Sequence, residues 1–185
     1  MRLAVIAELA QHDFDNVTLS TLGPCVNLPL HWHVLTSVAL EDCHGVNDGF
    51  LLQLLSNACS LHSLSLVRCG DVTAAGFSAL VCTRLCQLEI VRCASVEPEI
   101  VMAASVQLIG NLHALNMSYG HLGALQLHQL QHISTLIIDM CAGVAPEAAA
   151  AVVSSCRALR LLSAAGVAAF TSHDVCQESF PPIQT

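Results

Sequence analysis

Apolar residues return along this chain at successive steps of three, two, three and three, and few architectures can satisfy that pattern more than once. Leu61, Leu64, Leu66, Cys69 and Val72 form one such unit. Leu35, Val38, Leu40, Cys43 and Val46 form a second, Leu85, Leu88, Ile90, Cys93 and Val96 a third, and Ile133, Leu136, Ile138, Cys141 and Val144 a fourth. Weaker copies begin at Phe14 (with Val17, Leu19, Leu22 and Cys25), at Leu112 (with Leu115, Met117, Gly120 and Gly123) and at Leu159 (with Leu162, Ala164, Val167 and Phe170). The starts at 14, 35, 61, 85, 112, 133 and 159 lie 21 to 27 residues apart.

The step of two between Leu64 and Leu66 puts both side chains on one face of a short strand, with Ser63, Ser65 and Val67 on the other. Each unit therefore has a buried side and a wet side. After the cysteine, residues 72 to 80 space their apolar side chains nearer three and four, as a helix does. A strand and a helix of this size cannot bury their faces alone, so neighbouring units must stack and share one core.

The units resemble the cysteine-containing leucine-rich repeats of the ribonuclease-inhibitor-like superfamily, the subtype of F-box ubiquitin-ligase substrate receptors. The family pattern L-x-x-L-x-L-x-x-C-x-x-I-T-D is followed from Leu35 to Asp48, where Val46-Asn47-Asp48 stands for I-T-D. Leu61 to Leu80 and Leu85 to Val96 follow it nearly as well, and Ile133 to Val144 keeps the strand and the cysteine. The resemblance covers about residues 14 to 170 and implies an α/β right-handed solenoid, a horseshoe of about seven parallel strands with helices or short turns on its convex side. It also implies a protein-binding role, with substrate recognition in a ubiquitin ligase as the alternative. No forty-residue F-box bundle fits between Leu28-Pro29 and Leu35, so such a role needs a separate adaptor; Pro29 and Trp32 read instead as a turn and a packing plug.

At 185 residues the chain has the size of one domain. It is 54% hydrophobic with mean hydropathy +0.63. The stretch from Ala103 to Ile138 carries no Asp, Glu, Lys or Arg, yet Gln107, Asn111, His113, Asn116, His121, Gln126, His128, Gln129 and His132 interrupt it and argue against membrane insertion. Charged residues are 11% of the chain, against about 25% in an average domain. A surface so poor in charge suggests cover by partners, or a biased coding composition. Lysine is absent altogether, which also suits a protein working beside a ubiquitin ligase. Net charge of -8 with six arginines argues against nucleic acid.

Ten cysteines would suggest disulfides in a small secreted protein. Here Cys43, Cys69, Cys93 and Cys141 share one slot in successive units and should form a ladder of buried, reduced thiols. Layers about 5 Å apart do not forbid bridging, but the reduced reading is preferred and implies a cytoplasmic or nuclear protein. Residues 1–13 read as a capping helix and not as a signal or transit peptide, because Glu8 breaks the apolar run and Asp13 follows. Mitochondrial import stays open. Gly120 and Gly123 predict an irregularity between Tyr119 and Leu125, and residues 171–185, with Pro181-Pro182, a C-terminal cap or loose tail.

Motifs for chemistry are sparse. His128 and His132 share a helical spacing without a third ligand, and Cys82 and Cys86 straddle a turn, so neither pair predicts a metal site. No phosphate loop, no nucleophile elbow and no carboxylate pair with a plausible pocket appears, and neither an enzyme nor a cofactor is expected. The open strand face remains. Its charges are Glu41, Glu89 and Asp139, and just beyond the strand ends Asp42, Arg68, Arg92, Tyr119 and Met140 fall on a common edge. Glu41, Asp42, Arg68, Glu89, Arg92, Tyr119 and Asp139 are the candidate protein-binding residues, since Arg and Tyr are favoured at hot spots; the other reading is an ordinary rim. The expectation is a non-enzymatic interaction module holding a protein partner in a hetero-complex.

Overall fold

The computed structural model describes residues 16–20, 32–82, 84–96, 111–120, 130 and 132–170. The expectations for residues 1–13, Phe14, Pro29, the segment just past Gly120, His128 and residues 171–185 lie outside them.

The structure is α/β, with one all-parallel seven-stranded sheet whose strands lie in chain order. They are β1 (Asn16–Ser20), β2 (Ser37–Glu41), β3 (Ser63–Val67), β4 (Gln87–Val91), β5 (Ala114–Asn116), β6 (Thr135–Ile137) and β7 (Leu161–Ser163). The register pairs equivalent slots of successive units: Leu40 lies beside Leu66, Leu66 beside Ile90, Leu88 beside Leu115, and Leu115 beside Leu136. Burial alternates along β2 and β3, so that Val38, Leu40, Leu64 and Leu66 are sealed while Ser37, Ala39, Ser63 and Ser65 are half-buried. The inward column joins the leading Leu or Ile and the cysteine of each well-matched unit in one core. Among the described residues the last unit is looser, with Leu159, Leu162 and Ala164 partly buried against that core, as is Val144 of the unit before it.

Among the described residues the other layer includes α1 (Asp48–Asn57), a 3-10 helix over Ala74–Cys82 and α2 (Pro146–Ser155). The helix type follows unit length. The units that start at 35 and 133 run 26 residues to the next start and carry ten-residue α-helices. The unit that starts at 61 has 24 and carries the 3-10 helix instead. A 3-10 helix rises about 2.0 Å per residue against about 1.5 Å in an α-helix, so a shorter connection spans the same return path. The sequence spacing suggests an ordinary helix here; with three residues per turn, Phe77 and Leu80 still share the buried side.

The segment Val46-Asn47-Asp48 has two jobs. Asn47 caps α1 by accepting from the Phe50 N–H at 3.1 Å. The Asp48 carboxylate accepts from the N–H and hydroxyl of Thr73 in the following unit, at 2.7 and 2.6 Å. Gly76 sits so close to this junction that a Cβ would fall 2.8 Å from Asp48 Oδ1 and 3.2 Å from its Cα. Trp32 forms the predicted plug: it is buried in a short 3-10 turn, edge-on to Phe50 with ring centroids 5.8 Å apart.

Cys43, Cys69, Cys93 and Cys141 are free thiols in the core. Each of the last three donates to a carbonyl of the preceding unit: Cys69 to Leu40 at 3.6 Å, Cys93 to Leu66 at 3.6 Å and Cys141 to Met117 at 3.0 Å. A thiol suits the slot because it fills it as a small hydrophobe and still supplies a weak donor. Burial pushes the Cys69 thiol up to about 11 and also raises those of Cys93 and Cys141. Under native conditions at pH 8, peptide mapping after iodoacetamide treatment should therefore find the exposed Cys59 alkylated and Cys69, Cys93 and Cys141 unmodified until denaturant is added.

Candidate functional site

The sheet face opposite the helices is the open one, and its polar side chains are tied across units. Glu89 in the middle of β4 accepts from Ser65 Oγ on β3 at 2.6 Å and from Asn116 Nδ2 on β5 at 2.8 Å. Asn116 in turn accepts from the N–H and hydroxyl of Ser118, at 3.1 and 2.7 Å. Asp139 accepts from Ser163 Oγ at 2.7 Å and from the Ala165 N–H at 2.8 Å. Around Glu89 the face dips into a shallow depression of about 190 Å³, bordered by Ser65, Gln87, Ala114, Asn116 and Thr135. The small side chain of Ala114 leaves that space.

The edge beyond the strand ends has a feature of its own. Asp42, Arg68, Arg92, Tyr119 and Met140 all adopt left-handed backbone, with φ of 52°, 55°, 55°, 63° and 56°, and Gly166 continues the row at 74°. In this conformation each N–H turns toward the next unit and donates to a carbonyl there: Asp42 to Val67 at 3.0 Å, Arg68 to Val91 at 2.9 Å, Arg92 to Ser118 at 3.3 Å, Tyr119 to Asp139 at 2.9 Å and Met140 to Ala165 at 2.7 Å. The turn thus extends the ladder by one bond per unit. Left-handed backbone costs a residue with a Cβ about 1 kcal/mol or more, and glycine almost nothing.

The side chains of this row reach sideways to one another. Arg68 grips Asp42 with two hydrogen bonds, Nε to Oδ1 at 2.6 Å and Nη2 to Oδ2 at 2.7 Å, and its Nη2 also reaches Glu41 at 2.6 Å. The Arg92 guanidinium lies over the Tyr119 ring, 4.2 Å from its centroid. Met140 covers Gly166: a Cβ on that glycine would overlap the Met140 sulfur. All seven predicted contact residues therefore lie on the open face or its edge. Glu41, Asp42 and Arg68 form one group, Arg92 and Tyr119 another, and Glu89 and Asp139 are anchored separately.

The Arg68 hydrogen bonds hold the Asp42 carboxyl below the usual carboxylate range. A lowered carboxylate pKa adds stability above the unfolded value and loses it as pH falls through the folded one. The pair is well exposed, so the effect on folding is small. The local effect is measurable. Carbon-detected NMR titration should give Asp42 a midpoint below that of a model Asp, and Arg68→Ala should move it upward; an unchanged midpoint would rule out the bidentate pair.

Three members of the site were not singled out as contact residues from the sequence. Met140 stands on the edge but lacks the hot-spot chemistry that singled out Arg and Tyr. Ser65 and Asn116, which fix Glu89, look like ordinary wet-face residues until the register is known. The left-handed row had one sequence signal, Gly166 in the slot that follows Met140. Among the described residues no three His, Cys, Asp or Glu side chains gather to hold a metal ion, and no helix is long and apolar enough to cross a membrane. His132 is exposed, as expected of a solvated histidine. No protein-family model matches the chain, and no curated protein matches it in sequence.

Proposed function

We propose that this chain is a non-enzymatic protein-interaction module, a right-handed leucine-rich-repeat solenoid that holds a protein partner on its open strand face or the adjoining edge as part of a hetero-complex. The observation that carries this reading is the lateral fixing of that face: Glu89 and Asp139 are each held by donors from neighbouring units, so the surface is ordered before anything binds. A preorganised surface loses less entropy on association. The low charge content and missing lysine favour a protein over a nucleic acid as the occupant.

Affinity purification of the tagged chain from its native source, beside an Ala114→Arg variant, tests the reading. Ala114 lies within the depression, so a long cationic side chain there obstructs the face without entering the core. A partner retained in stoichiometric amount by the parent should be lost from the variant at unchanged melting temperature. Retention by both would rule out the depression as the contact, and no partner on either would sink the proposal. Substrate recognition in a ubiquitin ligase is the narrower form of the same idea, favoured by the repeat pattern of Leu35 to Asp48; co-purifying ligase subunits would identify it.

A further inference from the structure

Five successive units place a side chain where the backbone favours glycine, and two of the five, Asp42 and Arg68, form an ion pair with each other. The other three, Arg92, Tyr119 and Met140, follow β4, β5 and β6 and so sit next to one another. Adjacent strands are about 4.8 Å apart, which makes this patch roughly 10 Å long, enough for two or three residues of a partner. Tyr119 is 47% and Met140 55% exposed, two of the three large apolar side chains among the described residues that remain so open. No carboxylate of the described residues lies within ion-pair distance of Arg92. Its guanidinium is instead stacked on Tyr119, which fixes its plane and leaves its edge free to form two parallel hydrogen bonds.

We propose that Arg92, Tyr119 and Met140 form a docking patch for a short acidic-apolar segment of the partner protein, with an Asp or Glu carboxylate on the Arg92 guanidinium and an adjacent aliphatic side chain against Tyr119 and Met140. Charge selects the acid: a fixed cation that no carboxylate of the described residues pairs takes one from a partner. The exposed ring and thioether select the apolar neighbour. The backbone supplies the independent support, because three side chains at left-handed positions are disfavoured by folding alone. This inference rests on the interaction-module reading above and narrows it to one part of the surface and one class of ligand.

The left-handed backbone also provides a clean test. Arg92→Gly and Tyr119→Gly each remove a side chain while relieving the backbone, so both variants should melt no lower than the parent. A random dodecapeptide phage library selected on the immobilised parent chain should enrich sequences with Asp or Glu beside Leu, Ile or Val. Measured by fluorescence polarisation, a labelled winning peptide should bind Arg92→Gly and Tyr119→Gly at least tenfold more weakly than the parent. Arg92→Lys, which keeps the charge without the planar fork, should fall between, and Arg160→Ala at the opposite end of β7 should leave binding unchanged. Enrichment of basic peptides that depend on Glu89, absence of any enrichment, undiminished binding to Arg92→Gly, or a lower melting temperature for that variant would overturn the proposal. A native partner lost with Ala114→Arg but kept by Arg92→Gly would overturn this patch and leave the interaction-module reading standing; absence of any native partner would remove that reading itself.

Discussion

Phe77→Ala should lower the stability of the protein by about 3 to 5 kcal/mol, read as a drop in the urea midpoint at unchanged slope. Phe77 is the bulkiest of the fully sealed side chains among the described residues and has no exposed surface. It projects from the 3-10 helix over Ala74–Cys82, whose neighbour α1 brings Leu51, Leu54 and Leu55 into the same core. Such a cavity is slow to close, because Gly76 already draws the 3-10 helix against Asp48 and little slack remains. A loss below 1 kcal/mol would mean that the short helix is peripheral to the core.

Leu66→Ala should cost about 2 to 5 kcal/mol by the same measure. Leu66 is fully buried at the centre of the stack, with Leu40 on one side and Ile90 on the other, and its carbonyl accepts the Cys93 thiol. Truncation there opens a gap between two layers. In a stacked array most stability resides in contacts between neighbouring units, so the damage should spread to the β2 and β4 units. Hydrogen exchange should therefore quicken in 37–41 and 87–91 as well as in 63–67. A neutral substitution would show that the repeating leucines do not face one interior.

Much of this fold was legible because its signal is periodic. The step of two in Leu64-x-Leu66 fixes which side of a strand is buried, and its recurrence aligns the strands; the register found, Ser37 beside Ser63 beside Gln87, is the one that equal slots require. The helix layer was less legible, since a nine-residue apolar stretch such as 74–82 fits an α or a 3-10 helix, and only the shorter unit length distinguishes them. Within the candidate site, the location of the edge followed from counting residues. Its backbone did not. Asp tolerates left-handed φ, but Arg, Tyr and Met carry no signature of it, and the pairs Asp42 with Arg68, Ser65 with Glu89 and Asn116 with Glu89 join residues 24 to 27 positions apart. Such pairs become visible only after the units are stacked.

That sideways pairing also separates two kinds of predicted contact residue. Arg68 is already engaged by Glu41 and Asp42, so removing it should disturb the local edge before it disturbs a partner. Among the described residues the Arg92 guanidinium meets the Tyr119 ring and no carboxylate. The difference could not be drawn from composition, which treats both as exposed arginines, and it shifts the expected contact toward the β4 to β6 end of the row.

Hydrogen–deuterium exchange of the chain alone and in the complex recovered by affinity purification tests the interaction surface most directly. Partner binding should slow exchange at 65–68, 89–92, 116–119 and 139–140, the strand ends and their edge, while 48–57 and 146–155 in the helix layer stay as they were. Protection confined to the two helices, with the strand ends unaffected, would contradict the account.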